Sequence, residues 1–158
     1  MFALQDFIIR AKKQAYAQGE TSQKSLPSRP EVKEYIYEER AGNKTNSYQH
    51  TCFGGNKFVG QEIVMQSKKP VWAMNYRGIC KTDDFTESQL DSIIRPALAQ
   101  VGEDRRVLPL RGSSEYVSGD YRYTFESIGD MTDFKGIEKV YKDNKVVYIL
   151  ECHGGVIK

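Results

Sequence analysis

The residues with nucleophilic or metal-binding chemistry are few: two histidines, His50 and His153, and three cysteines, Cys52, Cys80 and Cys152. His50 and Cys52 stand two apart, so on a strand they share one face. Cys152 and His153 are adjacent, so a strand turns them to opposite faces, and at most one could join the first pair. A four-ligand zinc site is therefore awkward, and no CxxC or HExxH spacing is present. A thiol nucleophile needs a histidine within reach. Cys52 or Cys80 with His50 or His153 is the minimum set, but no GxSxG elbow presents a nucleophile. The plainer reading makes each cysteine a small buried hydrophobe and each histidine a hydrogen-bonded strand residue. No metal or cofactor is expected.

Acid–base chemistry could fall to Glu62, Glu126 or Asp130, since burial raises a carboxyl pKa into a useful range. Glu62 stands out because it interrupts the apolar run Phe58 to Met65. A solvent-facing residue or an ion-pair partner is its plainer role. Gly54-Gly55-Asn56-Lys57 lacks the phosphate-loop spacing, and no GxGxxG opens a helix, so these glycines read as turn residues. Arg111-Gly112 follows Pro109 and could offer a guanidinium to a carboxylate or phosphate, or brace its own loop.

The elements that must position these groups centre on Phe53 to Gly78. Lys57 to Gln66 and Pro70 to Tyr76 read as neighbouring strands, rich in β-branched and aromatic residues, joined by the polar turn Gln66 to Lys69. Alternation puts Trp72, Met74 and Tyr76 on one face and Val71, Ala73 and Asn75 on the other. Both faces are largely apolar, which predicts a central strand covered on both sides or lining a cavity. Asn75 is the polar exception and, if buried, needs partners.

Upstream, Phe2 to Gln18 reads as a helix whose stripe is Leu4, Ile8, Ala11 and Ala15, widened by Phe7. Gln5, Arg10, Lys12, Lys13 and Gln14 fall on its solvated side, and Gly19 is its stop. Glu20 to Pro30 is a loop. Strands follow at Lys33 to Arg40 and Ser47 to Phe53, so four strands form an antiparallel meander. A second helix starts at Thr86, with Gln89 completing a capping box. Its buried stripe is Leu90, Ile93, Ile94, Ala97, Leu98 and Val101, and Pro96 predicts a kink or an end near Arg95. Arg105 to Gly119 is a long connection pinned by Val107, Leu108 and Leu110. Tyr121 to Ile128 is a fifth strand, Gly129 to Lys135 a loop, and Ile137 to Tyr141 with Lys145 to Cys152 a hairpin. No internal repeat is visible.

At 158 residues, 39% hydrophobic and 28% charged, the chain is one ordinary globular domain over 1–158. A net charge of +2 implies no strong field for nucleic acid or acidic membranes. No apolar run reaches membrane-spanning length, and the start has no secretory pattern. An odd cysteine count without a framework favours a reducing cytoplasm. Ten tyrosines suit both a core margin and a binding surface.

Four segments carry a resemblance: FVGQEIVMQSKKPVWAMNYRG, PLRGSSEY, GDYRYT and the terminal ECHGG. Together with the helical start FIIRAKKQAYA they resemble a bacterial domain family catalogued as domain of unknown function 5680. Some members carry a helix-turn-helix domain ahead of this one. The resemblance implies no catalytic residues, and it implies a sensory or accessory module.

The expectation is an α+β domain: one curved, mostly antiparallel sheet of six or seven strands with two packed helices. Such a sheet commonly encloses an aromatic-lined cleft. The leading function is small-molecule binding, with Tyr48, Glu62, Trp72, Asn75, Tyr76, Arg111, Tyr121 and His153 as candidate ligand contacts. The alternatives are an enzyme using a buried carboxylate or histidine, and a protein-interaction module acting as a homodimer. Direct binding of nucleic acid or membrane is not expected.

Overall fold

A computed structural model describes residues 3–17 and 29–157. The order is α1 (Leu4–Ala17), β1 (Lys33–Ala41), β2 (Lys44–Gly54), β3 (Lys57–Gln66), β4 (Lys69–Cys80), α2 (Glu87–Leu98), β5 (Glu115–Ser118), β6 (Tyr121–Asp130), β7 (Asp133–Lys142) and β8 (Lys145–Val156). Among the described residues eight strands form one open antiparallel sheet in the order β1-β2-β3-β4-β8-β7-β6-β5. The α+β class is as expected, with eight strands rather than six or seven. The additional strand is β5, inside the connection expected over Arg105 to Gly119. It is four residues long and carries one bulky alternation, Tyr116 against Val117, too brief for a periodic signal. The segment Gly129 to Lys135, expected as a loop, is instead a tight β6–β7 hairpin. The stop at Gly19 and most of the loop Glu20 to Pro30 lie outside the described residues.

The strand order is a palindrome: two successive helix-plus-four-strand units meet through their last strands, β4 and β8. The sequence repeats with it, contrary to the absence of a repeat expected above. Phe58-Val59-Gly60-Gln61-Glu62 in β3 recurs as Phe134-Lys135-Gly136-Ile137-Glu138 in β7, 76 residues later. Register follows. Phe58 pairs with Gly78 and Phe134 with Gly154; Glu62 pairs with Met74 and Glu138 with Leu150. Even the irregularities match, at Val64/Met65 and Val140/Tyr141. Across the seam Tyr76 pairs with Cys152, so each of these two counterparts faces the other.

Glycine makes the inner face fit its rings. A Cβ on Gly78 would lie 2.2 Å from the Phe58 ring, and one on Gly154 2.9 Å from Phe134. Each of these phenylalanines then stacks on an aromatic from the other half: Phe58 on Tyr148 at 6.2 Å, and Phe134 on Trp72 at 5.6 Å between centroids. The two stacks lock the halves together beyond the β4–β8 hydrogen bonds.

The helices cover the inner face. Phe7, Ile8 and Ala11 of α1 are fully buried, each bulky one contributing roughly 1.5–3 kcal/mol. Lys12, expected on the solvated side, is fully buried as well. It follows Ala11 directly, so the helical stripe carries it inward, and a partner on β3 makes this tolerable. Helix α2 has the expected capping box between Thr86 and Gln89 and buries Leu90, Ile93, Ile94, Ala97 and Leu98. Pro96 does not end it. The helix runs to Leu98, and the Ala99 amide donates to the Arg95 carbonyl. Proline removes its own donor only, and the bonding that follows it carries the helix to its end.

The outer face is not covered by either helix. Strand β4 therefore has one enclosed side, with Trp72, Met74 and Tyr76 buried, and one open side, where Asn75 is exposed rather than buried. Gln61 Nε2 donates to Asn75 Oδ1 at 2.8 Å on that side.

Candidate functional site

Side chains of the inner face converge on two carboxylates, one per half. In β7, Glu138 is fully buried. Arg111 donates to it through Nε and Nη2, both at 2.8 Å, in a two-pronged fork. Tyr123 and Tyr148 add their hydroxyls at 2.8 and 3.0 Å. Burial, reinforced by the Glu138 charge, holds both phenols well above their ordinary pKa, so they remain donors. The Gly112 amide donates to the Tyr123 hydroxyl at 3.0 Å, which fastens the α2–β5 connection to this centre. Arg111 thus braces its loop through a buried fork.

In β3, Glu62 is fully buried against Lys12 of α1, whose ammonium bonds Glu62 Oε2. Burial alone would raise the Glu62 carboxyl; the charges of Lys12, His50 and Arg111 outweigh it and hold it below its ordinary value. Burial lowers the Lys12 ammonium, against the pull of Glu62. Glu62 Oε1 has no hydrogen-bond partner among the described residues.

A cleft of about 170 Å³ opens between α2 and the first half of the sheet. Tyr35, Phe58, Tyr76 and Tyr148 give it aromatic walls, joined by Leu90, Ile94 and Leu98 of α2. Lys33, Glu34, Glu87, Asp91 and Arg95 also line it, with Lys33 3.6 Å from Glu87 and Arg95 3.3 Å from Asp91. Three further polar side chains of the lining, His50, Tyr76 and Arg111, stand close together. His50 Nε2 and the Tyr76 hydroxyl are hydrogen-bonded. The Arg111 guanidinium stands 5.6 Å over the Tyr76 ring. Directly across β2–β3 from His50 is Glu62.

The candidate contacts divide by place. Tyr76 and Arg111 line the cleft. Glu62 and Tyr48 lie in the core beside it, with Lys12 Nζ 5.8 Å over the Tyr48 ring. Trp72 is fully buried at the seam, its indole N–H donating to the Met131 carbonyl at 3.2 Å. Tyr121 packs on Phe85 at 5.7 Å, away from the cleft lining. Asn75 and His153 line a separate outer-face groove of about 630 Å³, with Val59, Arg77, Ile128 and Ile137. His50, Phe58, Tyr148, Glu138 and Lys12 complete the inner constellation; of these the sequence marks only His50, as a metal-ligand or base candidate rather than a ligand contact. The recurrence of F-x-G-x-E was the signal that would have found Glu138.

Among the described residues, no group of three or more His, Cys, Asp or Glu is placed to hold a metal ion. Cys52 lines the cleft, while Cys80 and Cys152 are buried. Burial pushes the Cys152 thiol up to about 12, so it is protonated at neutral pH. No helix among the described residues is long and apolar enough to cross a membrane.

No curated protein and no solved structure matches the chain. A family model described as Domain of unknown function (DUF5680) matches residues 47–157, from early β2 to the end of β8. That span takes in β3, β4 and most of β2 from the first half and all of the second, includes both F-x-G-x-E motifs, and the chain belongs to this family.

Proposed function

We propose that the protein is a small-molecule-binding module whose ligand occupies the cleft between α2 and the first half of the sheet. The observation that carries this reading is the pairing of aromatic walls with a cluster of polar side chains. Tyr35, Phe58, Tyr76 and Tyr148 offer flat apolar contact, and His50, Tyr76 and Arg111 offer directional groups. Mostly apolar clefts with a few placed polar groups are what small-ligand sites look like. The size suits a single ring system: a dry cavity of about 150 Å³ accepts benzene. A sensory or accessory role follows if occupancy alters the packing of α2 on the sheet.

The test is a screen of small ring compounds by amide NMR on isotope-labelled protein. Shifts clustered on His50, Tyr76, Leu90 and Ile94, and abolished by Leu90→Trp, support the cleft. Shifts scattered over the surface, or confined to the outer face around Asn75 and His153, oppose it.

A second reading is acid–base catalysis in the same cleft. It is favoured by the bond between His50 and the Tyr76 hydroxyl, beside an ionised Glu62. This pair could hold or pass a proton at the ligand. Turnover lost in His50→Gln while binding persists would separate catalysis from binding alone.

A further inference from the structure

The two halves of the fold use one carboxylate position in two ways, and the difference points to a ligand chemistry. Glu138 receives four donors, two on each oxygen. Its counterpart Glu62 receives Lys12 on Oε2, and Oε1 has no donor among the described residues. The residue at the Tyr148 position in the first half is Trp72, and its N–H is directed to the Met131 carbonyl instead. A fully buried carboxylate oxygen without a donor carries a desolvation penalty that a bound donor removes. Glu62 is the cross-strand neighbour of His50, and His50 lines the cleft. Glu62 therefore sits next to a residue of the cleft lining, on the neighbouring strand.

Charge decides what kind of donor fits. Each buried carboxylate already has its own cation, Lys12 for Glu62 and Arg111 for Glu138. A cationic ligand would add an uncompensated positive charge beside Lys12 and Arg111. An anionic ligand would meet Glu62 itself. Either leaves a net charge in a low-dielectric interior. An uncharged N–H or O–H donor satisfies the oxygen without changing the balance.

We propose that the cleft selects uncharged ring compounds bearing an N–H or O–H donor, such as phenolic or indolic molecules, and that Glu62 Oε1 accepts their hydrogen bond. This proposal rests on the cleft reading above. On binding, the His50 ring shifts aside and the donor enters beside Tyr76.

Matched probes test it on the full chain: phenol against anisole and indole against 1-methylindole, with benzylamine and benzoate as charged controls. Binding is read from amide shifts at His50, Glu62 and Tyr76. The expected result is that each donor compound binds about tenfold or more tightly than its methylated partner, as for a hydrogen bond to a charged acceptor. The charged controls bind more weakly, and Glu62→Gln shrinks the donor preference. Equal binding of the matched probes at these residues overturns the donor proposal and leaves the cleft standing. Tightest binding by benzylamine overturns the charge argument. No binding of any probe at these residues removes the cleft reading as well. The matched pairs on the native chain decide the matter even if Glu62→Gln does not fold.

Discussion

The Tyr76 ring lies directly over the α-carbon of Gly60, its cross-strand partner: a Cβ at that glycine would stand 2.0 Å from Tyr76 Cζ. This contact seats the phenol so that its hydroxyl meets His50. Gly60→Ala must therefore displace the ring or the strand. The expected loss is about 1–3 kcal/mol, the range for overpacking a filled interior. Gly60→Ala combined with Tyr76→Leu should lose less than the two single changes added together, because the shorter side chain removes the clash. Urea unfolding of the four proteins checks it, and strict additivity would count against the contact.

The Arg111–Glu138 fork makes a sharper demand. Arg111→Met leaves Glu138 buried with two tyrosine hydroxyls and no compensating charge. Loss of one partner of such a pair costs about 3–5 kcal/mol. Arg111→Lys keeps the charge and loses the fork, so its loss should be clearly smaller. Denaturant midpoints at equal slopes decide between them. Identical losses would show that planar two-pronged geometry contributes nothing.

A surface pair ties α1 to β1 and gives a pH signature. Arg10 bonds both oxygens of Glu39, at 2.8 and 2.9 Å, and Tyr37 donates to the same carboxylate at 2.6 Å. Arg10 above all, assisted by Tyr37, lowers the Glu39 pKa from 4.5 to about 2. A depressed folded-state value stabilises the fold at pH above the unfolded value. That contribution is lost as pH falls from about 4.5 to about 2. The Arg10 side chain is 53% exposed, so solvent and salt screen the pair and its worth is about 1 kcal/mol or less. Glu39→Gln should flatten the acid limb of the stability profile by that amount, and less so in high salt. Glu62, also depressed, remains in both proteins and cancels from the comparison.

The cysteines should label in a fixed order. Cys52 is half-buried in the cleft lining, whereas Cys80 and Cys152 are buried with thiols pushed up by burial. A neutral alkylating reagent at pH 7.5 should modify one residue per native chain, Cys52, and all three only in denaturant. A cleft ligand should slow that reaction. Peptide mapping that found Cys152 modified first in the native protein would contradict the enclosure of the seam.

The elements of regular period were legible in the sequence. Helix α2 was readable from its cap and stripe, and β3 and β4 from their β-branched and aromatic runs. Lys12 was not, because charge on an amphipathic helix ordinarily marks the wet face. Its partner Glu62 lies 50 residues away on another element, and local pattern carries no such pairing. Strand β5 was too short to show a period. The repeat escaped for a different reason. What recurs is a sparse set of inward positions on β3, β4, β7 and β8, while the outward positions and the donors differ between halves. Residue type points to Tyr76 and Arg111, which do meet at the cleft. It points equally to Trp72 and His153, and the pleat sends one to the seam and the other to the open face.

The β4–β8 seam also orders events in time. Among the described residues every other strand pair is a hairpin between neighbours in the chain; β4 with β8 alone must bring together residues 69–80 and 145–156. Closing that long intervening segment costs entropy before any contact across it repays the loss. Each four-strand meander is closed by local pairings, and docking of the two is the event expected to be slow. During synthesis the β8 side of β4 has no partner until β8 itself leaves the ribosome. A β4 edge from a second nascent chain is the nearest chemical substitute for β8 in that interval. The yield of correctly folded protein should accordingly fall with crowding of translating ribosomes, more than the stability of the finished fold suggests.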